Sequence, residues 1–189
     1  MAASPLEAAL RVAEVLDQLR INYMVCGSLA STVHGEPRMS QDVDLVADLH
    51  TGDSEPLMAV LEKEFYIELD AVPDVAEERV TFSLIARESA QKVDIFALRE
   101  RPFSREELSR GERLEVRPGV SLRIATAEDT LLAKMEWYRE CGEASDQQWR
   151  DVLGILKVQE DLDLQYVRQW ARELGLLDLL VRALEQGRG

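Results

Sequence analysis

A chain of 189 residues has room for one compact domain or one domain with an appendage, and its 46% apolar residues are ample for a core, which excludes a disordered chain. A net charge of −14 works against broad binding to nucleic acid or to anionic membrane surfaces. The charge is uneven: residues 99–125 hold seven Arg and five Glu and neither Lys nor Asp, a local +2 on a chain that otherwise carries −16. That window reads either as a dock for an anionic substrate or as a solvated surface. No apolar run approaches the roughly 18 residues of a membrane span. The N-terminal stretch lacks a basic leader, and Cys26 and Cys141 follow no disulfide or zinc-site spacing. These features predict a cytoplasmic chain with reduced thiols and no membrane partner.

Ser4-Pro5-Leu6-Glu7 is a capping box with proline at the first helical position. Leu6, Leu10, Val12, Ala13, Leu16 and Leu19 recur at helical spacing and predict a helix over 5–20. Residues 21–26 read as a buried strand. Gly27-Ser28 follows, and Ser28 can cap a short helix ending near Gly35. The free N–H groups of such a first turn attract phosphate. After a turn with Pro37 and Arg38, residues 42–47 read as a second strand. A helix is expected near 56–64, then strands at 65–69 and 80–86 around an acidic loop, then a strand at 92–98. In that last strand Val93, Ile95 and Ala97 share one face, and Lys92, Asp94 and Phe96 the other. Ser104 can cap a short helix, and 114–116 with 120–124 make a hairpin around Pro118-Gly119. Beyond Ala125 the pattern is helical. One helix is capped by Thr126 and stopped by Gly142, a second is capped by Ser145, and two more follow over 164–174 and 177–185. Trp137, Tyr138 and Trp149 are expected in the core of this part.

Three carboxylates stand inside apolar strands, where a charge needs a reason: Asp42, Asp44 and Asp94. Asp42 and Asp44, two apart on a strand, share a face. Like charges so close repel unless a cation lies between them, and a divalent metal is the obvious one. If the Asp94 strand pairs beside theirs, three carboxylates converge near a helix start. That set suits one or two Mg²⁺ ions held against a triphosphate. Asp-x-Asp alone and Gly-Ser alone mark little. The joint pattern is specific: strand, Gly-Ser, thirteen residues, Asp-Val-Asp, then Asp in a later strand.

Gly27-Ser28, Asp42-Val43-Asp44-Leu45 and Asp94 resemble the signature of the nucleotidyltransferase superfamily, whose fold is like the catalytic core of DNA polymerase beta. The run Arg38-Met39-Ser40-Gln41-Asp42-Val43-Asp44 and the segments 128–134 and 149–152 are similar to its bacterial abortive-infection (AbiEii-type) branch, which includes toxins of toxin–antitoxin pairs. The likeness spans residues 20–158. It implies an α/β (α+β) fold, a mixed sheet flanked by helices, as a catalytic core over 1–125 with a helical domain over 126–189. It further implies that Asp42 and Asp44 are catalytic metal ligands and that Asp94 contacts the metal or serves as base. Gly27 would let the triphosphate approach, and Ser28 would bind its terminal phosphates. Lys134, on an otherwise apolar helix face, either snorkels or, as the likeness implies, neutralises triphosphate charge. Arg38 either contacts the nucleotide or pairs with an acidic neighbour. Asp151 is expected to pair with Arg139 or Lys134. The cofactor implied is Mg²⁺ or Mn²⁺ and the co-substrate an NTP such as ATP. An NMP would pass to a hydroxyl of a protein, a tRNA or a small molecule as pyrophosphate leaves, and a cognate toxin or antitoxin would be a partner. The alternative is a catalytically silent nucleotide- or partner-binding module of such a pair.

Overall fold

The computed structural model describes residues 4–40, 42–50, 52–74 and 77–187. The chain opens with α1 (Pro5–Gln18), β1 (Tyr23–Cys26), α2 (Gly27–His34), β2 (Asp42–Ala47) and α3 (Ser54–Leu61). Next come β3 (Phe65–Asp74), β4 (Glu77–Ala86), β5 (Lys92–Ala97), α4 (Pro102–Arg110), β6 (Glu112–Arg117) and β7 (Val120–Ile124). Four helices close it: α5 (Ala127–Glu140), α6 (Asp146–Val158), α7 (Leu164–Glu173) and α8 (Leu177–Gly187). Among the described residues all strands join one sheet in the order β3-β4-β5-β2-β1-β7-β6. The β1–β7 and β2–β5 pairs are parallel and the others antiparallel, so the sheet is mixed. The fold class is the α/β one expected.

The chain divides into two compact units, Met1–Ser28 with Met39–Ile124, and Leu29–Arg38 with Ala125–Gly189. In the first, strict alternation along β2 buries Val43, Leu45 and Ala47 and leaves Asp42, Asp44 and Val46 half-buried on the other face. Helix α1 packs on β2, β5 and α3 through a stripe that includes Val12, Val15 and Leu16. It ends at Gln18, two residues before the expected limit. Arg20 takes φ 59°, and Ile21 N–H bonds Leu16 C=O at 2.9 Å, a Schellman closure made without the usual glycine. Strands β3 and β4 run on well past the expected limits, to Asp74 and from Glu77, because the antiparallel ladder continues pair by pair through the acidic segment. Residues 75 and 76 of the expected loop lie outside the described residues. Helix α4 starts at Pro102, so Ser104 is not its cap. That side chain is buried and its hydroxyl accepts a hydrogen bond from Arg101 Nε at 2.9 Å.

In the second unit α5 packs on α6 and α7, and α8 on α6 and α7. The expected caps form: Thr126 Oγ1 accepts from the Asp129 N–H, and Ser145 Oγ from the Gln148 N–H. Tyr138 is buried and stacks on Trp149 with ring centroids 5.0 Å apart. Trp137, expected in the core, is 46% exposed. It stands about 100° round α5 from the buried Tyr138. Among the described residues no helix is long and apolar enough to cross a membrane.

Candidate active site

The first unit carries a carboxylate face. In the parallel pairing of β2 with β5, Asp44 lies opposite Asp94 and Asp42 opposite Lys92. Laterally paired residues present their side chains to the same face. Asp42, Asp44, Lys92 and Asp94 therefore share one surface, opposite the buried Val43 and Leu45. The antiparallel β1–β2 pairing sets Cys26 against Asp44, so the first residue after β1, Gly27, arrives at the same carboxylate. Gly27 has φ +59°, and a Cβ there would stand 2.8 Å from Asp44 Cγ. Only glycine meets both demands, the left-handed backbone and the space Asp44 fills. Ser28 is the next residue, in the first turn of α2. The strand order thus sets Gly27 and Ser28 at the end of β1 beside Asp44, and puts Asp42, Asp44 and Asp94 on one face of the sheet.

Asp94 and Asp42 are held differently. Asp94 is 7% exposed; its Oδ1 accepts from Ser83 Oγ at 2.6 Å and its Oδ2 lies 2.9 Å from Lys92 Nζ. Asp42 is half-buried, and Ser40 Oγ donates to the Asp42 carboxylate Oδ1 at 3.1 Å and to the Asp42 backbone C=O at 2.9 Å. Among the described residues no three His, Cys, Asp or Glu side chains are gathered into a ready-made metal cage. The donor set nonetheless suits Mg²⁺. That ion prefers hard carboxylate oxygens, keeps several waters, and is usually bound by one or two carboxylates plus substrate phosphates.

Arg38 and Lys134, the other two sequence candidates, lie in the second unit and share a carboxylate there. Asp151 Oδ1 accepts from Arg38 Nε at 3.0 Å and its Oδ2 from Arg38 Nη2 at 3.1 Å. Lys134 Nζ lies 2.8 Å from Oδ2, with both side chains almost fully buried. Gln147 adds a bond to Oδ1 at 2.9 Å. Burial pushes the Asp151 carboxyl up, but the hydrogen bonds from Arg38 and Lys134 outweigh it and leave the group below the ordinary carboxylate value. Two glycines let these elements meet. A Cβ at Gly35 would stand 3.0 Å from Ile155 N, and one at Gly154 3.2 Å from Glu36 N. Of the partners expected for Asp151, Lys134 is present, whereas Arg139 pairs with Asp178 and Glu143.

Sequence reasoning did not single out Ser83, Ser40 or Lys92. Lys92 was legible in principle, since it alternates with Asp94 on one strand face. Ser83 was not, because only the β4–β5 register, Ser83 opposite Asp94, assigns it a neighbour.

No protein-family model matches the sequence, and no curated protein matches it. Solved structures do. An antigenic nucleotidyltransferase-like protein of Paracoccidioides brasiliensis is 17% identical, with 96% of this chain and 92% of that chain covered and a TM-score of 0.61. A Thermotoga maritima protein described as a nucleotidyltransferase is 15% identical, over 76% of this chain and 91% of that one, with a TM-score of 0.55. The lincosamide antibiotic adenylyltransferase LnuA, in its lincomycin-bound form, is 11% identical, over 80% and 96% of the two chains, with a TM-score of 0.54. At these identities the likeness establishes the fold, which is of the nucleotidyltransferase type.

Proposed function

We propose that the protein is a nucleotidyltransferase that moves an NMP from an NTP to a hydroxyl acceptor. The observation that carries this is the β2–β5 register, which sets Asp44 against Asp94 beside the glycine that opens α2. Asp42, Asp44 and Asp94 would hold Mg²⁺, or Mn²⁺ in its place, and the bound ion supplies charge neutralisation to the phosphates. Gly27 and Ser28 bind the triphosphate through the first-turn N–H groups of α2 and the Ser28 hydroxyl. Asp94, oriented by Ser83, takes the proton of the acceptor hydroxyl. That oxygen then bonds to the α-phosphorus in line, the α–β bridging bond breaks, and pyrophosphate leaves with the electron pair.

Arg38 and Lys134 are proposed as further nucleotide-binding cations. Placement in the abortive-infection branch, and with it a toxin or antitoxin role, is supported by the segments that carry that likeness. Arg38, Lys134 and Asp151 come from those segments, and they form one ion network. Among acceptors, the antibiotic adenylyltransferase fold supports a small molecule, and the arginine-rich window supports an RNA end. We also place the catalytic core in 1–125 and a helical domain in 126–189.

The test is transfer of labelled nucleotide from each of the four NTPs with Mg²⁺ or Mn²⁺ to candidate acceptors. Asp44→Asn is expected to cut transfer by at least about 100-fold while the melting temperature holds, given what one preorganised electrostatic group contributes. Absence of metal-dependent NTP binding, together with an indifferent Asp44→Asn, would overturn the proposal. A catalytically silent nucleotide- or partner-binding module is the second reading, favoured by the Lys92 ammonium seated on Asp94. Calorimetry that shows NTP binding without any turnover would select it.

A further inference from the structure

The carboxylate face contains a cation of the protein's own. Asp44 and Asp94 are lateral neighbours on parallel strands, a spacing at which two carboxylates repel. Lys92 shares their face, pairs laterally with Asp42, and places its ammonium 2.9 Å from Asp94 Oδ2. Asp94 cannot turn away to relieve the crowding, because Ser83 Oγ fixes its other oxygen at 2.6 Å and the side chain is 10% exposed. The lysine can move: its side chain is 44% exposed and carries four rotatable bonds. The face therefore pairs one fixed carboxylate with one mobile ammonium at the position a divalent cation would need.

We propose that Lys92 is a resident counter-cation that stabilises the carboxylate face without metal and competes with the divalent cation for Asp94. This rests on the assignment of Asp42, Asp44 and Asp94 as metal ligands. Its consequence is ordered assembly. A metal ion arriving alone must displace the ammonium from Asp94. A metal ion arriving with a nucleotide brings phosphate charge that accepts the displaced ammonium. Metal binding is then weak alone and strengthened by nucleotide, so Lys92 is a positioning residue that couples the two ligands.

Mn²⁺ binding to the full chain, followed by electron paramagnetic resonance with and without a non-hydrolysable ATP analogue, tests this. In wild type the analogue is expected to tighten Mn²⁺ binding. In Lys92→Met, Mn²⁺ alone is expected to bind up to about fivefold tighter, the effect of removing an ion pair worth up to about 1 kcal/mol, and the gain from nucleotide is expected to shrink by a similar factor. The melting temperature of metal-free Lys92→Met should fall and recover with Mn²⁺ by more than wild type gains. Lys92→Arg, which keeps the charge, should behave as wild type in both measurements. Lys92→Gln, which keeps a hydrogen-bond donor and loses the charge, should follow Lys92→Met, and it serves if the methionine variant does not fold. Asp44→Asn in the wild-type background separates the two ideas. If it leaves Mn²⁺ binding unchanged, or wild type binds no Mn²⁺, the ligand assignment fails and the inference with it. If Asp44→Asn loses Mn²⁺ while Lys92→Met and Lys92→Gln bind it no tighter than wild type, the ligand assignment stands and the role of Lys92 is refuted.

Discussion

The two units each contain a carboxylate matched to cations, and the two clusters are built to opposite ends. On the sheet of the first unit, Asp42, Asp44 and Asp94 share a face with the ammonium of Lys92. In the helical unit one carboxylate, Asp151, serves two cations and is almost fully buried with Lys134. The first cluster gathers three carboxylates on one face and is half open to solvent at Asp42 and Asp44. The second has its anion saturated by bonds from Arg38, Lys134 and Gln147. Crowded like charges at the surface cost stability and await a counter-charge. A buried, fully bonded set adds little net stability while whole and costs much when one partner is removed. Exposure and bonding thus separate the two clusters, although each consists of charged groups at hydrogen-bonding distance.

Four substitutions or titrations would break or sharpen that contrast. Asp151→Ala leaves the Lys134 ammonium buried without its carboxylate, and should cost about 3–5 kcal/mol by chemical denaturation. A loss below 1 kcal/mol would remove the distinction between the clusters. Gly27→Ala forces a Cβ against Asp44 and a left-handed conformation on alanine. The backbone alone costs roughly 1–2 kcal/mol, and the displaced Asp44 should lose metal-dependent nucleotide binding as well. If binding survives, the closeness of Gly27 to Asp44 has no functional weight. Asp42→Asn is expected to act in the other direction. It removes one of the like charges and keeps an oxygen for the Ser40 hydroxyl, so stability should hold or rise by up to about 1 kcal/mol while transfer activity falls. A clear loss of stability would mark Asp42 as structural.

The smallest effect concerns acid. The Asp151 carboxyl is depressed in the folded protein, so its contribution is fully present above the ordinary value near 3.9. That contribution is lost as pH falls from there through its lowered folded value. Below about pH 4 the melting temperature of wild type should therefore drop more steeply than that of Asp151→Asn, which has no such group. Parallel curves would mean that Arg38 and Lys134 do not hold the charged form.

Much of this was legible along the chain. The strand at Asp42–Ala47 follows from its alternation, the caps at Ser4, Thr126 and Ser145 from the hydroxyl chemistry of helix starts, and the candidacy of Asp42, Asp44 and Asp94 from charge placed in apolar strands. These are local signals, fixed by the 2- and 3.6-residue periods and by unsatisfied backbone groups. What the sequence could not decide was which strands lie side by side. The neighbours of β2 are β1 and β5, and that pairing alone places Asp94 against Asp44, Lys92 against Asp42 and Gly27 beneath a carboxylate. Likewise Asp151 chooses Lys134 and Arg38, 113 residues away along the chain, over Arg139 because of how the helices pack. Register and packing are properties of the whole chain burying its apolar faces at once, and no window of sequence contains them.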